Sequence, residues 1–199
     1  MDIAATLVKE LREKTNAGMM DCKEALVQAN GDLKAAVDIL RKKGLSVAAK
    51  KVSRQAKEGV VGSYIHLAGK IGVLVEVNCE TDFVAKNKLF ADFVKDIAMQ
   101  IAASNPRYLA REDVPEDAIA KEKEILASQI KGKPAAVVEK IVAGKLDKYF
   151  QDICLLEQPF VKDSNLRIKD LLSKTIAQIG ENILIRRFVR FQTGEELRD

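Results

Sequence analysis

Tryptophan is absent from these 199 residues, histidine occurs once and cysteine three times. Each scarcity removes a class of chemistry. His66 falls inside a predicted strand, where a packed or hydrogen-bonded role is the ordinary one, and a His-dependent nucleophile has no second candidate. Cys22, Cys79 and Cys154 share no close spacing, so neither a disulfide framework nor a zinc site is expected. Cys22 and Cys79 read instead as small buried hydrophobes. The Gly-Lys steps at Gly69, Gly132 and Gly144 lack the upstream glycine and the following Ser or Thr of a phosphate-binding loop. No bound nucleotide, metal or other cofactor is expected, and no catalytic constellation stands out. No apolar run approaches the length of a membrane span, and the first residues form no apolar signal region, so the expected location is the cytoplasm.

What is present is a mixed chain with enough apolar content to bury a core. Ile3, Leu7, Val8 and Leu11 make one helical stripe, Ala25 and Leu26 mark a second helix, and Leu33, Val37 and Leu40 a third. Ala17-Gly18 separates the first two, Asn30-Gly31-Asp32 caps the third, and Gly44 is expected to close it. Residues 1–44 therefore read as a compact three-helix module. A connector, 45–58, leads to a core over 59–199. From Arg41 to Glu58 the chain carries Arg41, Lys42, Lys43, Lys50, Lys51, Arg54 and Lys57 against one acid. That density suits phosphate neutralisation, yet no aromatic for base stacking accompanies it, and a solvated helical linker explains it as well.

The core opens with a hairpin. Val60 to His66 and Ile71 to Val77 flank the turn Ala68-Gly69-Lys70, and the two strands are expected to pair antiparallel. A helix over Thr81 to Ser104 follows, with Asn105-Pro106 as its stop. Pro115 opens a helix running to about Lys131, Pro134 opens a third, and a fourth runs from Ile168 to Ile179. The last strand, Ile183 to Gln192, places Ile183, Ile185, Val189 and Phe191 on one side. Separated strands with helices between them define an α+β fold with a small antiparallel sheet.

The junction from Val73 to Asn87 is the most informative stretch. A buried-strand alternation through Ile71, Val73, Val75 and Val77 ends at Thr81 and Asp82, either of which can cap a helix. Phe83 follows at once. Residue chemistry alone favours a plain reading in which Phe83 joins the stripe of Phe90, Phe93, Val94, Ile97 and Ile101. The alternative is a small probe held out at a scaffold edge.

The wording Gly72-Val-Leu-Val-Glu-Val-Asn-Cys-Glu-Thr-Asp-Phe-Val-Ala-Lys-Asn87 resembles a signature of the elongation factor Ts family. Arg12-Glu-Lys-Thr-Asn-Ala-Gly-Met-Met-Asp-Cys-Lys-Glu-Ala-Leu26 resembles the family's other signature. The likeness continues through Tyr64-Ile-His, Gly132-Lys-Pro, Gln158-Pro-Phe-Val and Arg187-Phe-Val-Arg-Phe, and so covers essentially the whole chain. One departure is Asn16, where the family usually has Gly; Asn is the next most tolerant residue of a positive φ.

The resemblance implies a ubiquitin-associated-like fold for the three-helix module and guanine-nucleotide exchange on elongation factor Tu, rather than enzymatic catalysis. It implies that Thr81, Asp82, Phe83 and Val84 lie against the partner's nucleotide-binding domain, with Phe83 wedged beside the Mg²⁺ site. Met19 and Met20, with Arg12 and Lys23 nearby in the motif, are the candidates for a second contact on the module; the plain alternative is a methionine filling the module's own core, and one of the pair is expected exposed and the other packed. The chain resembles the short form of the family, which is associated with homodimers. The edge from Ile183 to Phe191 is the candidate interface; it holds no cysteine, so no disulfide links copies there. The competing function is an RNA- or ribosome-binding module using the connector and the strand that interleaves Arg186, Arg187 and Arg190 with Phe188 and Phe191. A metabolic enzyme built around His66 is a third class.

Overall fold

The computed structural model describes residues 3–15, 17–130 and 132–196. It is an α+β chain: three N-terminal helices precede a sheet-and-helix core. The helices α1 (Ala5–Thr15), α2 (Met19–Gln28) and α3 (Leu33–Lys51) pack Val8, Leu11, Cys22, Ala25, Leu26 and Ala36 into one buried cluster. The two short helices, α1 and α2, are marginal alone in water, and the cluster they share with α3 stabilises them. Asp32 caps α3 by accepting from the amides of Lys34 and Ala35 at 2.7 and 3.0 Å. Asn16 lies outside the described residues.

The third helix does not close at Gly44. It runs on to Lys51. A glycine inside a helix costs up to about 1 kcal/mol relative to alanine. A Cβ built at Gly44 would lie 3.5 Å from that of Ala177, an ordinary van der Waals contact, so the position does not demand glycine. Propensity at one residue does not end α3, and the first part of the basic connector is helical.

Next come β1 (Glu58–His66) and β2 (Ile71–Cys79), then α4 (Asp82–Ala85) and α5 (Lys88–Ser104). The expected helix from Thr81 to Ser104 is thus two helices. Asn87 divides them: its side-chain oxygen accepts from the Leu89 amide at 2.8 Å, which restarts the helix one residue later. Phe90, Phe93, Val94, Ile97 and Ile101 of α5 are all buried. Asn105, at φ +46°, ends it.

Beyond it stand α6 (Glu116–Ser128) and α7 (Ala135–Ile153), and then a short hairpin of β3 (Pro159–Phe160) and β4 (Asp163–Arg167). The sequence reading did not include that hairpin, because a two-residue strand has no periodicity to detect. The helix α6 stops at Ser128, and Lys131 lies outside the described residues. The chain closes with α8 (Ile168–Ile179) and β5 (Ile183–Gln192).

The larger sheet has the order β1-β2-β5, which leaves β1 and β5 as its edges. The Thr193 amide donates to the Lys70 carbonyl at 2.9 Å, and Arg187 reaches Glu76 at 2.6 Å. Residue numbers therefore rise along β2 as they fall along β5, and the pair is antiparallel. Burial along β5 alternates correctly at Ile183 and Ile185 and then slips by one residue at Arg186–Arg187. After the slip Val189 and Phe191 are exposed, while Phe188 and Arg190 turn inward. The expected common face of Ile183, Ile185, Val189 and Phe191 fails because the phase of the alternation changes at that point.

The chain divides into two compact units. One takes in the residues up to Val60, Val77–Phe93 and Asp170–Leu184; the other takes in Val61–Glu76, Val94–Lys169 and the residues from Ile185 on. In the first, Gly59 at φ +144° passes so close to β2 that an added Cβ would meet the Val77 carbonyl oxygen, and only glycine fits there. In the second, Val114, Phe150, Ile153 and Cys154 form a buried cluster flanked by Tyr108, Leu146 and Tyr149.

Candidate functional site

The end of β2 and the whole of α4 belong to the first unit. Thr81 has extended backbone and caps α4, its hydroxyl oxygen accepting from the Val84 amide at 3.4 Å. Four helical residues supply few bonds of their own, so the turn depends on what holds its start. Glu181 does this. Its carboxylate accepts from the Glu80 amide at 3.1 Å, the Thr81 amide at 3.0 Å and the Thr81 hydroxyl at 2.7 Å. The Cys79 thiol donates to the Thr81 carbonyl at 3.1 Å, and burial followed by the charge of Glu181 pushes its pKa up, so it remains a thiol.

The four residues singled out at this junction share one short turn but differ in environment. Phe83 is 82% exposed and therefore does not join the buried stripe of α5. An aromatic ring left in water by its own fold stabilises nothing locally, and a ring held at a capped helix start is oriented for contact with something else. Val84 is half-buried and roots the turn. Asp82 and Lys86 form an exposed ion pair at 2.9 Å, and that hydrogen bond lowers the pKa of Asp82 and raises that of Lys86. Asp82 is thus a fixed anion beside the ring.

On the three-helix module, Arg12 stands on α1 and Met19, Met20 and Lys23 on α2. Both methionines are exposed, at 58% and 68%. The expectation that one is packed does not hold, because Cys22, Ala25 and Leu26 already fill the inner face of α2. Arg12 and Lys23 are exposed as well. The same helix presents an adaptable apolar pair and a cation to solvent.

The basic connector is largely engaged within its own unit. Arg41 meets Asp170 at 3.3 Å, Lys43 meets Asp21 and Glu24 at 2.6 and 3.0 Å, Lys51 donates to the Gly180 carbonyl, and Arg54 lies 3.6 Å from Glu80. In the second unit Arg186 and Arg187 both reach Glu76, at 3.5 and 2.6 Å, and Arg190 donates to the Ala102 carbonyl and Gln192. Those partners take up much of the charge that an RNA-binding reading relies on. His66 accepts or donates a 3.1 Å hydrogen bond with the Tyr64 hydroxyl and stacks on that ring at the exposed end of β1. All three cysteines are buried and unpaired with one another, and burial pushes the Cys154 thiol to about 11. No group of three or more His, Cys, Asp or Glu side chains among the described residues is placed to hold a metal ion. Among those residues no helix is long and apolar enough to cross a membrane.

Sequence reasoning missed Glu181 and its neighbour Asn182. Asn182 donates its amide to Glu80 at 2.6 Å and its side-chain nitrogen to the carbonyls of Val52 and Arg54 at 3.3 and 2.8 Å. The only sequence signal was an acid placed directly after the helix-ending Gly180, which by itself reads as an ordinary turn.

Exposed side chains on a turn braced by Glu181 are the arrangement of a contact surface. Comparison with known proteins identifies the family. The family model described as "Elongation factor TS" matches residues 1–195. The chain is 62% identical over 196 residues to elongation factor Ts of Thermodesulfovibrio yellowstonii, covering 98% of each chain. It is also 62% identical to that of Carboxydothermus hydrogenoformans, over 98% of this chain and 91% of the relative. With elongation factor Ts of Fervidobacterium nodosum the identity is 59%, over 98% of this chain and 100% of the relative. The chain belongs to the elongation factor Ts family, and it is an elongation factor, not a catalytic enzyme.

Proposed function

We propose that this protein binds elongation factor Tu carrying GDP and speeds GDP release by disturbing the partner's Mg²⁺ and phosphate site, after which GTP loads. The observation that carries this reading is Phe83, 82% exposed on a turn whose start is fixed by three hydrogen bonds to Glu181. A preorganised ring loses little conformational freedom on insertion, so more of its burial energy acts on the partner. Mg²⁺ demands near-ideal geometry, and a diphosphate whose cation is displaced is poorly compensated. Asp82, held ionised by Lys86, brings a negative charge to the same place.

Burying one phenylalanine is worth about 1.5–3 kcal/mol, too little by itself to expel a tightly held nucleotide. Arg12, Met19, Met20 and Lys23 supply the second contact in this reading, with the methionines adapting to an apolar surface. Linkage sets a condition: a factor that weakens GDP binding binds the nucleotide-free partner more tightly than the GDP-bound one, by the same ratio. The site of action is the cytoplasm, and the chain itself needs no cofactor. A substoichiometric amount of this protein should accelerate release of a fluorescent GDP analogue from purified elongation factor Tu. No acceleration by folded protein would refute the reading, and steep salt-dependent RNA binding would then replace it.

We also propose that two copies pair through β5. It is an edge strand, and its Val189 and Phe191 are 39% and 63% exposed. Unpaired edges carrying apolar side chains are ready templates for a second strand, and a two-fold axis would close the pair. Sedimentation at micromolar concentration should give twice the chain mass, and Val189→Lys should return it to one. A monomer mass for the unsubstituted protein would overturn the pairing.

A further inference from the structure

We propose that Glu181 is a positioning residue for nucleotide exchange, setting where Phe83 points; the inference rests on the exchange-factor reading above. The probe lies on a helix too short to hold its own direction, and the bonds that fix its start come from a residue 100 positions later in the chain. Glu181 sits between Gly180, whose φ of +87° ends α8, and the first residue of β5. One carboxylate oxygen accepts from the amides of Glu80 and Thr81 at 3.1 and 3.0 Å, and the other from the Thr81 hydroxyl at 2.7 Å. Because the Thr81 proton is directed at Glu181, a lone pair of the same oxygen is left for the Val84 amide. The bonds therefore run as a relay from Glu181 through Thr81 into the turn that carries Phe83.

The arrangement is reciprocal. While Glu181 holds the backbone of residues 80 and 81, the Glu80 carboxylate accepts from the Asn182 amide at 2.6 Å. Asn182 also holds the carbonyls of Val52 and Arg54, just past the end of α3, and Lys51 bonds the Gly180 carbonyl. Three chain segments thus meet at one turn: the end of α3, the end of β2 and the α8–β5 connection. The same clasp that orients the probe also anchors the helix that closes the three-helix module. It fixes two contacting surfaces with respect to each other, which rigid second supports do for any preorganised site.

Two substitutions separate reach from charge. Glu181→Asp keeps the charge and shortens the side chain by one methylene, so it cannot span to both amides and the hydroxyl. Glu181→Gln removes the charge but keeps an acceptor for the amides and offers a donor to the Thr81 hydroxyl oxygen. In stopped-flow release of fluorescent GDP from elongation factor Tu, Glu181→Asp should lower the limiting rate about tenfold or more, and Glu181→Gln should retain most of it. In a Phe83→Ala background Glu181→Asp should remove nothing further, because its effect passes through the ring, while the bonds that hold the end of α3 come from Asn182 and Lys51 and not from the Glu181 side chain. Equal rates for Glu181→Asp and the unsubstituted protein would overturn the proposal, as would an undiminished effect in the Phe83→Ala background. Amide hydrogen exchange at Glu80 and Thr81 should be slow in the unsubstituted protein and in Glu181→Gln, and fast in Glu181→Asp. That readout needs no partner: if the unsubstituted protein failed to accelerate GDP release, the exchange reading would fall, while protection at these two amides would still decide whether Glu181 holds the turn.

Discussion

Phe83→Ala should abolish most nucleotide-exchange activity and leave the melting temperature within about 2 °C of the unsubstituted protein. The two halves of that result have separate causes. Phe83 is 82% exposed, so its removal opens no cavity, and an exposed substitution away from caps and cores changes stability by about 0.5 kcal/mol or less. Alanine is also the better helix former, so α4 is not weakened. In the complex the balance reverses. A central aromatic anchor in an interface is worth about 2 kcal/mol or more, which corresponds to a rate loss of roughly 30-fold if that energy is expressed in the step that releases GDP. The limiting rate of fluorescent GDP release, taken with a thermal melt on the same preparation, reads both quantities. A Phe83→Ala protein that exchanged normally would remove the ring from the mechanism. A large fall in melting temperature would return Phe83 to the core and contradict its exposure.

Phe83 also shows where sequence reasoning succeeds and where it stops. From the residues alone, its seven-position offset from Phe90 favours a common buried stripe. That stripe presumes one continuous helix, and Asn87 breaks it by offering its side-chain oxygen to the Leu89 amide. A side chain competing locally with the helix ladder is a weak signal, because the same Asn can point to solvent in an unbroken helix. What brought residues 81–84 forward was the family wording around them, not their spacing. The structure adds a physical reason for interest in them, a ring in water on a braced turn. The brace itself was not legible: Glu181 and Thr81 lie 100 residues apart, and no periodicity links an acid in one turn to an amide at the end of a strand.

Long, strongly patterned elements were legible throughout. The helix over Ile168–Ile179 has the bounds its apolar spacing and Gly180 dictate, and the strand pair around Ala68-Gly69 follows from alternation on both sides of a turn. Two further misreadings fall where a local rule does not decide the outcome. Gly44 is a proper stop signal, yet α3 passes through it, because a glycine inside a helix costs only about 1 kcal/mol and does not by itself end one. In β5 the alternation is real at both ends, but its phase changes between Arg186 and Arg187, which are both exposed and both reach the carboxylate of Glu76. A period-two pattern cannot reveal a one-residue slip, because each half remains self-consistent.

The largest stability effect expected outside the apolar core belongs to Glu157, in the short 3-10 turn Leu155–Glu157 that follows α7. Its side chain is 10% exposed and meets Arg111 at 3.0 Å, Arg167 at 3.4 Å and Lys169 at 3.1 Å. Burial pushes its carboxyl pKa up, but the hydrogen bonds from Arg111 and Lys169 outweigh that and hold it below the usual carboxylate range. Arg111 is itself committed, bonded to Asp147 at 2.7 Å and lying over the Phe150 ring at 4.9 Å, so it cannot turn away to water without giving up those contacts. Glu157→Gln keeps the shape and leaves three cations facing a neutral group. The expected cost at pH 7 is about 2–3 kcal/mol, at the low end for a broken buried pair because the cations retain some access to solvent. The sign of the pH dependence follows from the depressed pKa. The stabilisation is fully present above the unfolded carboxylate value of about 4.3, and it is lost as pH falls through the lower folded value. Urea unfolding at pH 7 should therefore separate the two proteins clearly, and the gap should close as the pH falls below the unfolded carboxylate value and through the lower folded one, because a protonated Glu157 is equivalent to the amide. A difference that stayed constant across that range would show that Glu157 acts through its shape and not its charge.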